Sequence, residues 1–424
     1  MADSDPDVVV FGASSVTGRR VAAYLADRAP GTGLTWAAAG RDQERVRSVL
    51  AEEGVEAPVT IEADVSNPAS LQEMASRARV VLNLVGPYTL YGRPVIEACV
   101  AGEAHYVDLT GEIPFVRRMI AQFHEPARNA GVKVVQVSGF ESLPADLCVA
   151  LLAEAARERW GEQLAEVDAT ITTTRMPSGV PRPSDIVSGG TMQSLAEAVG
   201  DEDAACMTDP ACLIDDDPRA AAIRRLSPIR VAPRRRARDG AAIAPMAPAA
   251  FINPAVIHRS AALADPPFAP FRYREGVAIG GGPATLPLRL AAAGALSGMQ
   301  VAARGLAGAG QGTRRRTAGA LRRALPSSGF GPAADRLAAW QWRLDVAAKT
   351  DGAHDLTAQV EGDGHPGYLT TARMLGEAGL LLAGAAPTPE RAGCLTPALA
   401  LGTESIARFD AAGLRFSAPN ESAE

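Results

Sequence analysis

The clearest chemistry in the chain follows a short apolar run. Val8-Val9-Val10-Phe11 leads into Gly12, Ala13, Ser14, Ser15, Val16, Thr17 and Gly18. A buried strand that enters a loop of small residues and then a helix aims free backbone N–H groups and the positive helix end at one point. That arrangement suits a pyrophosphate. Gly12 permits the sharp turn, and Gly18 permits close packing of helix on strand. Ser15 stands where a third glycine is common, so backbone approach there has to tolerate a small side chain. A tight turn without any ligand would look the same in isolation. The nucleotide reading rests on the loop's place at the head of a long strand–helix series.

Other candidates fall just after later apolar runs, where ligands collect in open parallel sheets. The second run ends Ala39-Gly40-Arg41-Asp42, with glycine at the position where NAD-preferring sites carry an acid. Arg41 would pair a ribose 2′-phosphate through its planar fork, which favours NADP over NAD; the alternative is a solvated arginine at a helix start. Asp64 and Val65 would lie beside the adenine. Asn83, Gly86 and Pro87 would hold backbone close to the cofactor, with Tyr88 near the nicotinamide, unless this is a plain loop with a packed aromatic.

Hydride transfer also needs a group that gives or takes a proton. Tyr88 and Tyr91, Glu112 after the fifth run, and Glu141 before Pro144 are the candidates. Each has a structural alternative: packing for the tyrosines, a helix cap for Glu112, and a cap for Ser142 next to Glu141. Asp108 precedes Glu112 on the same edge, and His105 reads as a core or hinge histidine. Gly189-Gly190-Thr191 would form a second backbone nest. No HExxH and no Cys/His cluster occurs, so metal catalysis is disfavoured.

The elements that must position these residues alternate regularly. Val8–Phe11, Leu34–Ala39, Val59–Ile61, Val80–Val85, Tyr106–Leu109 and Val132–Val137 read as strands buried on both faces, with helical stretches between them. This predicts an α/β protein whose N-terminal part, residues 1–145, is a Rossmann-type doubly wound parallel sheet. Beyond Pro144 the β-branched run Val167–Thr174 and a hairpin at Asp351-Gly352 predict a second, α+β domain over residues 146–395 with antiparallel strands. Residues 201–334 read as a Pro/Gly/Ala-rich insertion, with the acidic stretch Asp201–Asp217 as an exposed loop. Residues 396–424 read as a helix and strand returning to the first domain.

Composition narrows the classes. The chain has 424 residues, 42 Lys plus Arg against 48 Asp plus Glu, and only two lysines, Lys133 and Lys349. Between Pro218 and Ala334 stand 18 arginines and three acids, so the insertion is strongly basic within an acidic protein. Beside the apolar run Leu290–Ala303, such arginines suit either an acidic carrier protein or an anionic membrane surface; a solvated or subunit-contact face, including a homodimer, is the alternative. Nucleic acid fits poorly, because aromatic interleaving is missing and the overall charge is negative. Five scattered cysteines without a CxxC pair suggest a reducing compartment, and the acidic start suggests cytoplasmic location, with peripheral membrane contact left open.

Several segments together resemble the saccharopine dehydrogenase-like family, closest to its bacterial trans-acting enoyl reductase-like branch. They are the Gly12–Gly18 loop, Ala39–Asp42, Asn83–Arg93, His105–Glu112, Gly139–Asp146, Ser188–Thr191, Gly364–Tyr368 with Thr370–Ala372, and Leu395–Ala398. The resemblance implies an NAD(P)-binding domain, an α+β second domain and a C-terminal segment returning to the first. In some members it implies reductase chemistry on double bonds of polyketide-derived lipids. Two departures stand out. Ser15 replaces the central glycine of the family loop, and no lysine falls at a cleft position, which disfavours saccharopine as substrate. The expectation is an NADP-dependent oxidoreductase reducing a C=C or C=O bond of a small-molecule or carrier-bound lipid, against a non-catalytic dinucleotide-binding, lipid-associated protein.

Overall fold

The computed structural model describes residues 5–178, 189–235, 241–245, 249–279, 286–324 and 334–421. Fifteen strands occur among them. The first six are β1 (Val8–Phe11), β2 (Trp36–Gly40), β3 (Thr60–Glu62), β4 (Val80–Asn83), β5 (His105–Asp108) and β6 (Lys133–Val135). Then come β7 (Leu164–Arg175), β8 (Arg234–Arg235), β9 (Ala242–Ala244), β10 (Arg272–Ile279), β11 (Gln341–Thr350) and β12 (Asp355–Asp363). The last three are β13 (Gly393–Leu395), β14 (Leu414–Phe416) and β15 (Asn420–Glu421).

The predicted alternation is the first sheet: seven parallel strands in the order β13-β6-β5-β4-β1-β2-β3. β1 and β4 are neighbours although two strands intervene in sequence, so the winding reverses between them. The carboxyl ends of these two strands therefore form the crevice in which such sheets bind ligands. The strands are short and apolar because both faces are covered. Val9, Phe11 and Val81 face the helices Pro68–Ser76, Tyr88–Ala101 and Ile113–Asn129, while Val8, Val10 and Leu82 face the other way.

The second sheet runs β14-β12-β11-β7-β10-β9-β8, with β15 pairing β12. It is mixed: β7 and β10 are parallel and the remaining pairs antiparallel. The region read as a loose insertion thus supplies β10, a strand inside the sheet. Its sequence hides this role, because Glu275 and Gly276 break the alternation begun at Arg272-Tyr273-Arg274, and because β10 lies far from its partner in the chain. The β11–β12 hairpin turns through three residues, Asp351–Ala353, not two. Ala353 instead of Gly352 takes the positive φ of 70°.

Three further expectations are corrected. The tail strand β14 pairs with β12 of the second sheet. The segment that returns to the first sheet is β13, which already fills the edge beside β6. The tail helix foreseen from Thr396 is split at Gly402, whose φ of 74° stops one piece at Leu401 before another begins at Ile406. The acidic stretch from Asp201 is not an exposed loop. Asp201 is buried against Arg118, with both carboxylate oxygens 2.7 Å from the guanidinium, and a turn of 3₁₀ helix at Ala204–Thr208 follows. That turn brings Cys206 to Cys212 in a disulfide, so two of the five cysteines are paired.

The helices Leu143–Trp160 and Thr371–Leu380 lie between the sheets. Their buried residues share one apolar core with Val8 and Leu82 of the first sheet and Leu344, Val346 and Val360 of the second. Close approach is built in: a Cβ on Gly379 would stand 3.1 Å from both Leu82 methyls.

Candidate active site

The loop after β1 meets the crevice as its residue types demand. Gly12 has φ of 87°, and a side chain there would press on Val85 and the Leu84 carbonyl at 3.0–3.2 Å, so only glycine fits. A Cβ on Gly18 would come within 2.2 Å of the Gly12 carbonyl oxygen. Ser15 turns its hydroxyl back to accept the Gly18 N–H at 3.0 Å. The side chain that replaces the family glycine therefore caps the helix Gly18–Arg28, and so keeps clear of the loop's mouth. Ala13 is fully buried, Ser14 and Thr17 half-buried. Val16 packs against Leu337 and Tyr368, joining the loop to the 364–370 segment of the second half.

Arg41 is exposed at the end of β2, beside Asp64, whose carboxyl it helps to hold below the ordinary carboxylate value. The main cause of that lowering is the pair of bonds from the Ser66 N–H and hydroxyl at 2.8 and 2.7 Å. Val65 is partly buried against the core on the same side of the sheet. A glycine-lined crevice, a helix N-terminus and an exposed guanidinium at the second strand fit the diphosphate and 2′-phosphate of NADP.

The far side of the crevice is a hydrogen-bonded chain of buried polar groups. Asn83 donates to the Tyr106 hydroxyl at 3.0 Å, and Tyr106 donates to Asp108 at 2.9 Å. The other Asp108 oxygen accepts the N–H of Thr110 and of Val137 at 3.0 and 3.1 Å. Val137, a β-branched residue, is held at φ of 60°, a strained conformation that the carboxylate bond helps to fix. Burial pushes Asp108 up to about 7 in spite of these donors. Tyr106 was not singled out in the sequence; the signal was a tyrosine and an aspartate two apart in a buried strand, which must share one face.

Of the proton-transfer candidates, three converge and one does not. Tyr88 is buried and donates its hydroxyl to the Asn83 carbonyl at 3.0 Å. Burial raises its phenol well above the ordinary value, and nearby Asp108, Glu112 and Glu141 add to the rise. Glu112 bonds the N–H groups of Tyr88 and Thr89 at 2.9 and 2.7 Å, clamping the loop after Gly86-Pro87, a cis peptide. It caps that loop and the start of the helix Tyr88–Ala101, although it directly precedes the helix Ile113–Asn129 for which it was read as a cap. Ser194, from the helix Gly189–Gly200, also bonds Glu112, whose acidity burial nonetheless weakens. Glu141 sits over Gly139 beside Thr371, its carboxyl raised by burial, with no cationic partner among the described residues. Tyr91 is 38% exposed on the outside of its helix, away from this group. Gly189, Gly190 and Thr191 begin a helix, and Ser188 lies outside the described residues.

His105 and Lys133 lie at the opposite, amino edge of the sheet. Lys133 Nζ is held by the Thr388 hydroxyl and the carbonyls of Pro389 and Ala400 at 2.7–3.0 Å, and burial lowers it to about 8. His105 accepts the Lys133 N–H and is lowered to about 4, chiefly by burial.

Residues 8–135 match the saccharopine dehydrogenase NADP binding domain family. A protein of Mycobacterium tuberculosis carrying the trans-acting enoyl reductase designation is 36% identical over 423 residues, covering 96% of each chain. The trans-acting enoyl reductase of Mycobacterium ulcerans is 33% identical, covering 98% of each. The chain belongs to the saccharopine dehydrogenase-like oxidoreductases, with the bacterial trans-acting enoyl reductases. Among solved structures it is similar to saccharopine dehydrogenase from Saccharomyces cerevisiae, with a TM-score of 0.52 at 12% identity over 99% of this chain and 100% of that one. It is also similar to homospermidine synthase from Legionella pneumophila in complex with NAD, with a TM-score of 0.54 at 9% identity over 98% and 91%. These two likenesses concern the fold. As a member of its family, the protein is an NADP-binding oxidoreductase.

Proposed function

We propose that the protein reduces the carbon–carbon double bond of an enoyl substrate of lipid or polyketide type, presented as a thioester. The names of its full-length relatives support the reaction class. The observation that carries the site-level reading is Glu141: a carboxyl on the carboxyl edge, raised by burial and without a cation beside it among the described residues. When bound, NADPH supplies a hydride. Reduction of a polarised double bond places hydride on the β-carbon and leaves an electron pair that takes a proton at the α-carbon. We assign delivery of that proton to Glu141, whose carboxyl burial raises above its ordinary value.

The neighbouring groups position and enclose. Asn83, Tyr106 and Asp108 fix the ends of three adjacent strands, and Glu112 fixes the loop before Tyr88. Tyr88 closes the floor, its hydroxyl committed to a backbone carbonyl. Lys133, tied to three oxygens on the opposite edge, serves structure, which agrees with a substrate other than an amino acid.

The test is NADPH oxidation across enoyl and ketoacyl thioesters of varied chain length. Turnover on the enoyl compounds is expected, and Glu141→Gln should lower kcat by about 10²-fold or more while leaving the KM for NADPH nearly unchanged. Turnover confined to ketoacyl compounds would move the reaction to a C=O bond. Tight NADPH binding with no turnover on any thioester would point to the non-catalytic, dinucleotide-binding alternative.

A further inference from the structure

The helix Leu286–Ala307 is turned the wrong way round for a protein in water. A surface helix ordinarily shows polar residues to solvent and apolar ones to the core. Here every exposed residue between Leu290 and Ala302 is Leu, Ala, Gly, Met or Val, without one charged or hydrogen-bonding side chain. Leu290, Met299 and Val301 are 51%, 63% and 57% exposed. The polar residues of the same stretch, Ser297 and Gln300, point inward, and their side-chain atoms have no hydrogen-bond partner among the described residues. An outward apolar strip on a helix about 33 Å long calls for a cover.

The charge around it says what covers it. Residues 286–324 contain seven arginines and no acid. The following helix, Gln311–Ala324, exposes Arg315, Arg316 and Arg323, which pair with no carboxylate among the described residues, whereas Arg322 is held by Glu197 at 3.2 Å. A second copy of this chain would bring like charge against like charge. A folded partner protein would be expected to trade about one hydrogen bond per 100–200 Å², and the strip offers no side-chain group for that. A bilayer asks for neither: acyl chains take the apolar side chains, and anionic headgroups take the arginines. No described helix is long and apolar enough to cross a membrane, so the helix would lie in the interface plane.

We infer that helices 286–307 and 311–324 dock the protein on an anionic lipid surface, the broad apolar face from Leu290 to Ala302, flanked by Met299 on one side and by Leu290 and Val301 on the other, against the acyl chains and Arg315, Arg316 and Arg323 at the headgroups. This inference does not depend on the enoyl reading of the active site.

Co-sedimentation of the full chain with vesicles of phosphatidylglycerol and phosphatidylcholine in equal parts, against phosphatidylcholine alone, tests it. Binding to the anionic vesicles only, weakened by salt, is expected. Met299→Glu with Val301→Glu should weaken it more than ten-fold, and Arg315→Gln about five-fold, with the thermal midpoint of all variants unchanged because these side chains are exposed. No binding at low salt, or binding indifferent to these substitutions, would overturn the inference. So would a dimer in sedimentation velocity that the Glu variants abolish, which would make the cover a second copy. Capture of an acidic carrier protein by this face, in place of vesicles, would overturn it as well.

Discussion

At the scale of single residues, cofactor preference and local strain are separable. Arg41 is exposed, lies close enough to Asp64 to help lower its carboxyl, and stands where the second strand ends. A guanidinium there discriminates by charge on the ribose, so Arg41→Ala should raise the KM for NADPH at least ten-fold while changing that for NADH little. Equal losses with both coenzymes would remove Arg41 from the preference. Asp108 makes a different prediction. Its carboxyl titrates near 7 in the folded protein against an ordinary 3.8, because burial penalises the anion. The folded state therefore binds the proton more tightly. The stability this group contributes is complete below about pH 3.8 and is lost as pH rises toward 7. Asp108→Asn should flatten that decline in denaturant midpoints measured from pH 4 to 7.5; a profile parallel to the wild type would assign the titration to another group. The loop residues Gly12 and Gly18 were legible in the sequence because their chemistry is local. Tyr88, Glu112 and Tyr91 were not separable there, since all three are polar residues near strand ends, and only the fold decides which are turned inward.

At the scale of elements, the helix Thr371–Leu380 ties the helix Gly18–Arg28 to the late helix Ile406–Ala411. Its Glu377 is fully buried, bonded to the Tyr24 hydroxyl at 2.5 Å and paired with Arg408 at 2.7 Å and Arg28 at 3.6 Å. Removing a buried carboxylate leaves its cation unpaired in a poor solvent for charge. Glu377→Ala should therefore destabilise the protein by about 3 kcal/mol in urea titration; a change under 0.5 kcal/mol would mean the arginines simply rehydrate. Helix and strand limits in the first sheet were readable to within a few residues, since doubly buried strands are apolar and the helices begin at Asp42, Asn67-Pro68 or similar signals. The second half was harder. The role of β10 depends on a partner strand about 100 residues earlier, and no periodicity within the strand itself encodes that pairing. The Cys206–Cys212 bond escaped notice for a related reason: spacing alone does not tell whether a turn folds back.

At the scale of the whole molecule, the first sheet is not built from the first part of the chain alone. Its edge strand β13 comes from residues 393–395, and the three oxygens around the Lys133 ammonium come from Thr388, Pro389 and Ala400. Chain synthesis therefore delivers the dinucleotide half early and its last plank nearly 260 residues later. Until then the nascent sheet presents an open parallel edge, and the Lys133 ammonium has water in place of its three protein oxygens. A piece cut at residue 145 should come out of the cell aggregated or loosely folded and fail to retain NADPH, and supplying residues 386–421 in trans should recover part of that retention. Ribosomes that release this protein too soon would thus discard a strand-end crevice whose glycine loop, Gly12 to Gly18, had already been made.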